Sequence, residues 1–126
     1  MKSIEIIVER TKTGYSAYAS KYPVFTTGKS LEELKLHVLE ALNLYFHKSN
    51  KIVTEKELKI VLDLPQFFHF YKVINAKALA ERIGMNQSLL SQYISGSKKP
   101  SSIQTKRILE GVQQVGKELS SVKFLL

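Results

Sequence analysis

Gln87, Ser88, Ser91, Gln92 and Ser95 fall at helical spacing along one side of a short segment, and each side chain is neutral and hydrogen-bonding. A face of this kind near a helix N-terminus suits the base edges in the major groove of DNA. A glutamine carboxamide pairs bidentately with adenine, and a good pair gives roughly 1–3 kcal/mol of discrimination. Gln87, Ser88, Ser91 and Gln92 are therefore the expected base-reading residues. Asn75, Lys77, Asn86, Ser97, Lys98 and Lys99 flank them and can donate to phosphate oxygens, which fix register without carrying sequence. Taken alone, Gln87, Ser88 and Gln92 fit an ordinary polar outer face better than a base-reading one, so the weight rests on the residues that position them.

Those residues are arranged for two short helices meeting at a tight turn. Asn75 can cap a helix in which Leu79, Ala80 and Ile83 are apolar, with Gly84 at its end. Asn86 can cap the next, with Leu89, Leu90, Tyr93 and Ile94 apolar and Gly96 at its end. Ala80 is small enough for a close crossing, Gly84 permits the turn, and Met85 with Leu90 can plug the angle. Pro100-Ser101 introduces a further helix over 102–119, carrying Ile103, Ile108, Leu109, Val112 and Val115. Upstream, residues 66–72 form an aromatic-rich short helix in which Phe67, Phe70 and Tyr71 are the expected buried side chains.

The segment is similar to the Xre/Cro family of helix-turn-helix domains. Its Leu-Ala-x-x-x-Gly turn, polar second helix and Gly-x-x-x-Pro-Ser ending match at Leu79, Ala80, Gly84, Gly96, Pro100 and Ser101. The position matching a base-reading glutamine of that family is Gln87. Ile94 departs from the pattern, where many members carry an acidic residue. The resemblance implies a sequence-specific binder of double-stranded operator DNA.

Charge is distributed to suit that reading. Of 19 Lys/Arg and 11 Asp/Glu, residues 65–126 hold nine and three, a net of +6, whereas residues 1–64 hold ten and eight, a net of +2. The second half is thus the expected seat of an anionic partner. The 44% apolar share is that of a globular chain, and the absence of cysteine excludes disulfides and thiolate metal sites. No run reaches the roughly 20 apolar residues of a membrane span, and residues 1–10 do not read as a signal peptide. A cytoplasmic protein without membrane association is expected.

The first half mixes two periods. Ile4, Ile6 and Val8 alternate with Glu5, Ile7 and Glu9 as a strand. Lys12-Thr13-Gly14 supplies a turn, and residues 15–20 alternate as a second strand, completing a hairpin. Residues 24–27 give a short third strand. Ser30 and Glu33 form a capping box for a helix over 31–47, with Leu31, Leu34, Val38, Leu42 and Tyr45 on one face. Leu58, Ile60, Leu62 and Leu64 alternate as a fourth strand, which Pro65 is expected to end. The fold class is α+β: a small β-β-β-α-β domain over 1–64, one helix covering one sheet face, followed by an all-α domain over 65–126.

This order ahead of a helix-turn-helix resembles the HicB antitoxins. The matching residues are Gly14-Tyr15, Phe25-Thr26-Thr27-Gly28-Lys29-Ser30-Leu31-Glu32-Glu33-Leu34, Leu64-Pro65-Gln66-Phe67-Phe68 and Gly116-Lys117-Glu118-Leu119. The family's Pro-Asp-Leu-Pro-Gly segment is replaced here by Tyr22-Pro23-Val24. The resemblance implies a partial ribonuclease-H-like first domain that binds and neutralises a small mRNA-cleaving HicA-type toxin. It also implies a second domain that represses the shared operon. Tyr15, Tyr18, Tyr22 and Phe25 are the physical candidates for the toxin surface, because tyrosine is enriched in interface cores.

Glu5, Glu9, Glu40 and Asp63 invite comparison with a two-metal nuclease, but surface carboxylates are the favoured reading. His37, His47 and His69 match no metal-ligand spacing, and no nucleophile elbow or phosphate loop is present. No enzymatic activity, catalytic residue, metal or cofactor is expected. A regulator whose first domain senses a ligand or mediates assembly is the alternative. A homodimer or higher even oligomer is expected, with a seam at residues 67–71 or 122–126.

Overall fold

The computed structural model describes residues 3–123. It divides into two compact units, Met1–Phe70 and Tyr71–Leu126. The chain is mixed, with a four-stranded sheet and five α-helices among the described residues. None of its helices is long and apolar enough to cross a membrane, among the same residues.

In the first unit, β1 (Ile4–Thr11) and β2 (Gly14–Ala19) form the expected hairpin, and β3 (Phe25–Gly28) adds to β2 antiparallel. After α1 (Leu31–Tyr45), β4 (Leu58–Leu62) pairs parallel with β1, so the sheet order is β3-β2-β1-β4. The alternation in β1 sends Ile4, Ile6 and Val8 to one face. There they join Ala17, Ala19, Val24, Leu34, Val38, Leu42, Phe46 and Val53 in a buried core. Glu5, Ile7 and Glu9 take the opposite face, where they are half-buried.

The start of α1 follows its sequence signal. Ser30 Oγ accepts from the Glu33 N–H at 3.1 Å. The returning Glu33 carboxylate accepts from the N–H of Lys29, one residue before the cap, at 2.9 Å. The core face of the helix is Leu34, Val38 and Leu42, continued by Phe46. Leu31 and Tyr45, expected to share that face, are instead largely exposed at the two ends of the helix.

Pro65 does not end β4. It sits in the first turn of α2 (Leu64–Phe70), where the missing proline N–H has no intrahelical acceptor to lose. Asp63 caps this helix, its Oδ1 accepting from the Gln66 N–H at 3.1 Å. The helix therefore begins two residues earlier than the aromatic run suggests. Its buried residues are Leu64 and Phe68, whereas Phe67, Phe70 and Tyr71 are half-buried.

Gln66 also ties α2 to the sheet. Its Oε1 accepts from the Arg10 N–H at 2.8 Å, and its Nε2 donates to the Arg10 carbonyl at 2.6 Å. The carboxamide thus satisfies a strand residue in the manner of a neighbouring backbone. For this reason α2 belongs to the first unit, and the units divide after Phe70 rather than at residue 64.

The second unit holds α3 (Ala76–Ile83), α4 (Gln87–Ser95) and α5 (Ser102–Ser120). Leu79, Ala80, Met85, Leu90, Tyr93 and Ile108 are its buried side chains. Gly111 on α5 lies against α3, and a Cβ there would come within 2.4 Å of Ile83 Cγ2.

Candidate nucleic-acid interface

The geometry begins with a turn that holds α3 and α4 at a fixed angle. Asn75 Oδ1 accepts from the Ala78 N–H at 3.0 Å and starts α3. The helix stops at Gly84, whose φ of 67° is in the left-handed region. The Met85 N–H then bonds the Ala80 carbonyl at 3.0 Å and the Gly84 N–H bonds the Glu81 carbonyl at 3.3 Å. This bond pair is the usual way of satisfying orphan carbonyls where a left-handed residue ends a helix. Met85 is driven inward, and Asn86 begins α4 at once, its Oδ1 accepting from the N–H groups of Ser88 and Leu89 at 2.8 and 3.1 Å.

The third helix braces the turn. Arg107 Nη2 donates to the Ile83 carbonyl at 2.9 Å and to the Gly84 carbonyl at 3.4 Å, while Nη1 donates to Gln104 Oε1 at 2.9 Å. Further along, Arg82 forms a two-bond ion pair with Glu118, at 2.9 and 2.7 Å. The Arg82 hydrogen bonds, with a further one from Gln114, hold the Glu118 carboxyl below its ordinary value, and the same pair raises Arg82.

With Leu90 and Tyr93 buried, α4 turns Gln87, Ser88, Ser91, Gln92 and Ser95 outward, all exposed. Gln87, Ser88, Ser91 and Gln92 line an open concavity of about 550 Å³ together with Ala76, Lys77 and Ile94. Thus the expected base-reading residues share one surface with Lys77, an expected phosphate contact carried by α3. Ala76 and Ile94 belong to that surface without having been singled out as contacts. Ile94 is read in the sequence as an apolar residue of α4 and as a departure from the family pattern, and the turn geometry that brings α3 beside it has no signal of its own in composition.

The remaining phosphate candidates are placed differently. Asn75 and Asn86 commit their carboxamide oxygens to helix caps, which leaves the NH₂ group as the end suited to a phosphate. Ser97 Oγ donates to the Gln92 carbonyl at 3.3 Å and lies 3.1 Å from Ser95 Oγ, so it closes the C-terminal end of α4. Lys98 and Lys99 follow that end, with the Lys98 N–H bonded to the Gln92 carbonyl at 3.2 Å. Lysines therefore lie beside the polar helix face, at Lys77, and beyond its C-terminal end, at Lys98 and Lys99.

In the first unit, the four aromatic candidates do not form one surface. Tyr18 and Phe25 are direct partners across β2 and β3 and are exposed, on the sheet face that carries Glu5, Ile7 and Glu9. Ile7 pairs with Tyr18, and Val61 pairs with Ile7. These residues make an apolar row across all four strands. Ile7 and Val61 are missed by a search for aromatics, and only the register shows them. Tyr15 lies on the other face, its ring 4.7 Å from the Arg10 guanidinium. Tyr22 packs inward, 5.6 and 5.0 Å from the rings of Tyr45 and Phe46. The candidate surface therefore reduces to Tyr18 and Phe25.

The acidic residues are dispersed. Glu5 and Glu9 share the sheet face of Tyr18, Glu40 is on the helix that covers the other face, and Asp63 caps α2. Among the described residues, no group of three or more acidic or histidine side chains is placed to hold a metal ion. No protein-family model, curated protein or solved structure matches the chain.

Proposed function

We propose that the chain is a sequence-specific DNA-binding regulator whose first unit binds a protein partner, as in the antitoxin of a type II toxin–antitoxin pair. The observation that carries the DNA-binding reading is the shared concave surface of Gln87, Ser88, Ser91, Gln92 and Lys77. It combines carboxamide and hydroxyl groups for base edges with a cation for the backbone, on a helix fixed at both ends by caps. The basic balance of residues 65–126 adds the sequence-independent attraction that brings such a surface to a polyanion.

The antitoxin part rests on the resemblance of the first half to HicB proteins. The sheet order β3-β2-β1-β4, with β1 and β4 parallel, supports a partial ribonuclease-H-like reading of that half. The exposed Tyr18–Phe25 pair supports a protein partner at that end of the sheet. That partner would be a HicA-type toxin, and the complex would repress its own operon.

Selection of duplexes from a randomised library by the full chain tests the first part. Enrichment of a defined site is expected, and recovery of unrelated sequences at uniform affinity would refute base reading. Co-expression with the protein encoded by the neighbouring reading frame tests the second. A stable complex and relief of growth arrest are expected. Absence of both removes the antitoxin role and leaves the DNA-binding one intact.

A further inference from the structure

We propose that β4 is a self-pairing edge, through which two copies of the chain join their sheets antiparallel about an axis at Val61. This inference does not depend on the DNA-binding or antitoxin readings.

The free edge follows from hydrogen-bond direction. The Asp63 N–H bonds the Val8 carbonyl at 2.9 Å, so residues 59, 61 and 63 direct their main-chain groups toward β1. Leu58, Ile60 and Leu62 then direct theirs away from the sheet. Among the described residues, no main-chain bond beyond the strand reaches Ile60 or Leu62.

This edge also lacks the usual defences. Its pairing with β1 runs unbroken from Leu58 to Leu62, without a bulge or proline, and Lys59 is its sole charge. The opposite edge, β3, is only four residues long. Ile60 shares the face of Ile6 and so points toward the core side, yet it is 45% exposed. Beside it lies a largely apolar recess of about 390 Å³, lined by Leu31, Leu34, Val38 and Ile60 over Ile6 and Val8, with Lys35 also on its wall.

Charge selects a second copy in one register. Antiparallel pairing about a two-fold axis keeps each residue on its own sheet face, so the axis must pass through a residue. Centring on Lys59 sets Lys59 against itself and Glu55 against Asp63. Centring on Ile60 sets Glu57 against Asp63. Centring on Leu62 forces Pro65 into the ladder. Centring on Val61 sets Lys59 against Asp63 twice, and Ile60 against Leu62 twice, with opposite charges paired on one face and apolar residues on the other. Ile60 and Leu62 are also the residues whose main-chain groups face outward, so each such pair exchanges both hydrogen bonds.

The absence of cysteine makes the test specific. In this register the Val61 positions form a close pair with Cα atoms about 4.5 Å apart, inside the range a disulfide bridges, roughly 4.4–6.8 Å. Val61→Cys in the full chain is expected to oxidise to a covalent dimer at least about ten times faster than Ile60→Cys, which faces Leu62 instead. Adding Lys59→Asp to Val61→Cys should slow cross-linking, and Lys59→Arg should not. In the unsubstituted chain, the amides of Ile60 and Leu62 should exchange with solvent more slowly as concentration rises. A Val61→Cys chain that stays at single-chain mass, or amides at Ile60 and Leu62 that exchange freely at every concentration, would overturn the proposal.

Discussion

The guanidinium of Arg107, on α5, donates to the main-chain carbonyl of Ile83, the last residue of α3, at 2.9 Å. The helix end thereby gains a charged donor where its own ladder has run out. The bond fixes α5 against the turn that aims α4, so it links packing to the orientation of the polar face. Arg107→Ala should destabilise the second unit by roughly 1.5–3 kcal/mol, the usual worth of a hydrogen bond to a charged group. Arg107→Lys should recover only part of this, because one ammonium does not reproduce the fork that also holds Gln104. Urea denaturation followed by circular dichroism reads both; full recovery by lysine would mean that charge alone matters.

Gly84 isolates a backbone effect. A Cβ added there meets nothing within 4 Å, yet φ is 67°. Gly84→Ala should therefore cost about 1–2 kcal/mol through conformation alone, and Gly84→Asn less. The same denaturation experiment checks this, and an unchanged midpoint for alanine would show that the turn is held by something other than φ.

Acid should weaken the Arg82–Glu118 tie. The Glu118 carboxyl is held down in the folded chain by hydrogen bonds from Arg82, so its stabilising contribution is complete above the unfolded carboxylate's pKa. It is lost as pH falls through the lower folded value. Glu118→Gln should melt below the wild type at neutral pH, and the difference should shrink toward zero in acid. A difference that is constant with pH would mean the ion pair contributes nothing through ionisation.

Lys77 lies beside the polar face and Lys98 follows its C-terminal end, and each is assigned one phosphate. Replacing either with alanine should reduce the slope of log affinity against log salt by about 0.9. Titration of a duplex at several salt concentrations measures it. A slope that does not move for Lys77→Ala would detach that lysine from the backbone contacts.

Much of this arrangement was legible because its signals are local. The caps at Ser30, Asn75 and Asn86 and the glycine at 84 each act within a few residues, and alternation in β1 reports burial directly. What escaped depends on phase or on distant pairing. Phe67, Phe68 and Phe70 are all apolar, so periodicity could not say which faces inward, and the start of α2 depended on Asp63 and Gln66 engaging the chain. The apolar row of Val61, Ile7, Tyr18 and Phe25 exists only through the register of four strands. The base-reading candidates were legible as a helix face, but the placement of Lys77 beside them required the turn at Gly84. Of the proposed dimer seams, residues 124–126 lie outside the described part of the chain.

The most direct test of the central claim is the affinity of Gln87→Ala for the selected duplex and for an unrelated one, at a single salt concentration. Loss of about 1–3 kcal/mol on the selected site, with the unrelated duplex bound as before, is the result expected if Gln87 reads a base. Equal loss on both duplexes, or no loss on either, would contradict base reading by α4.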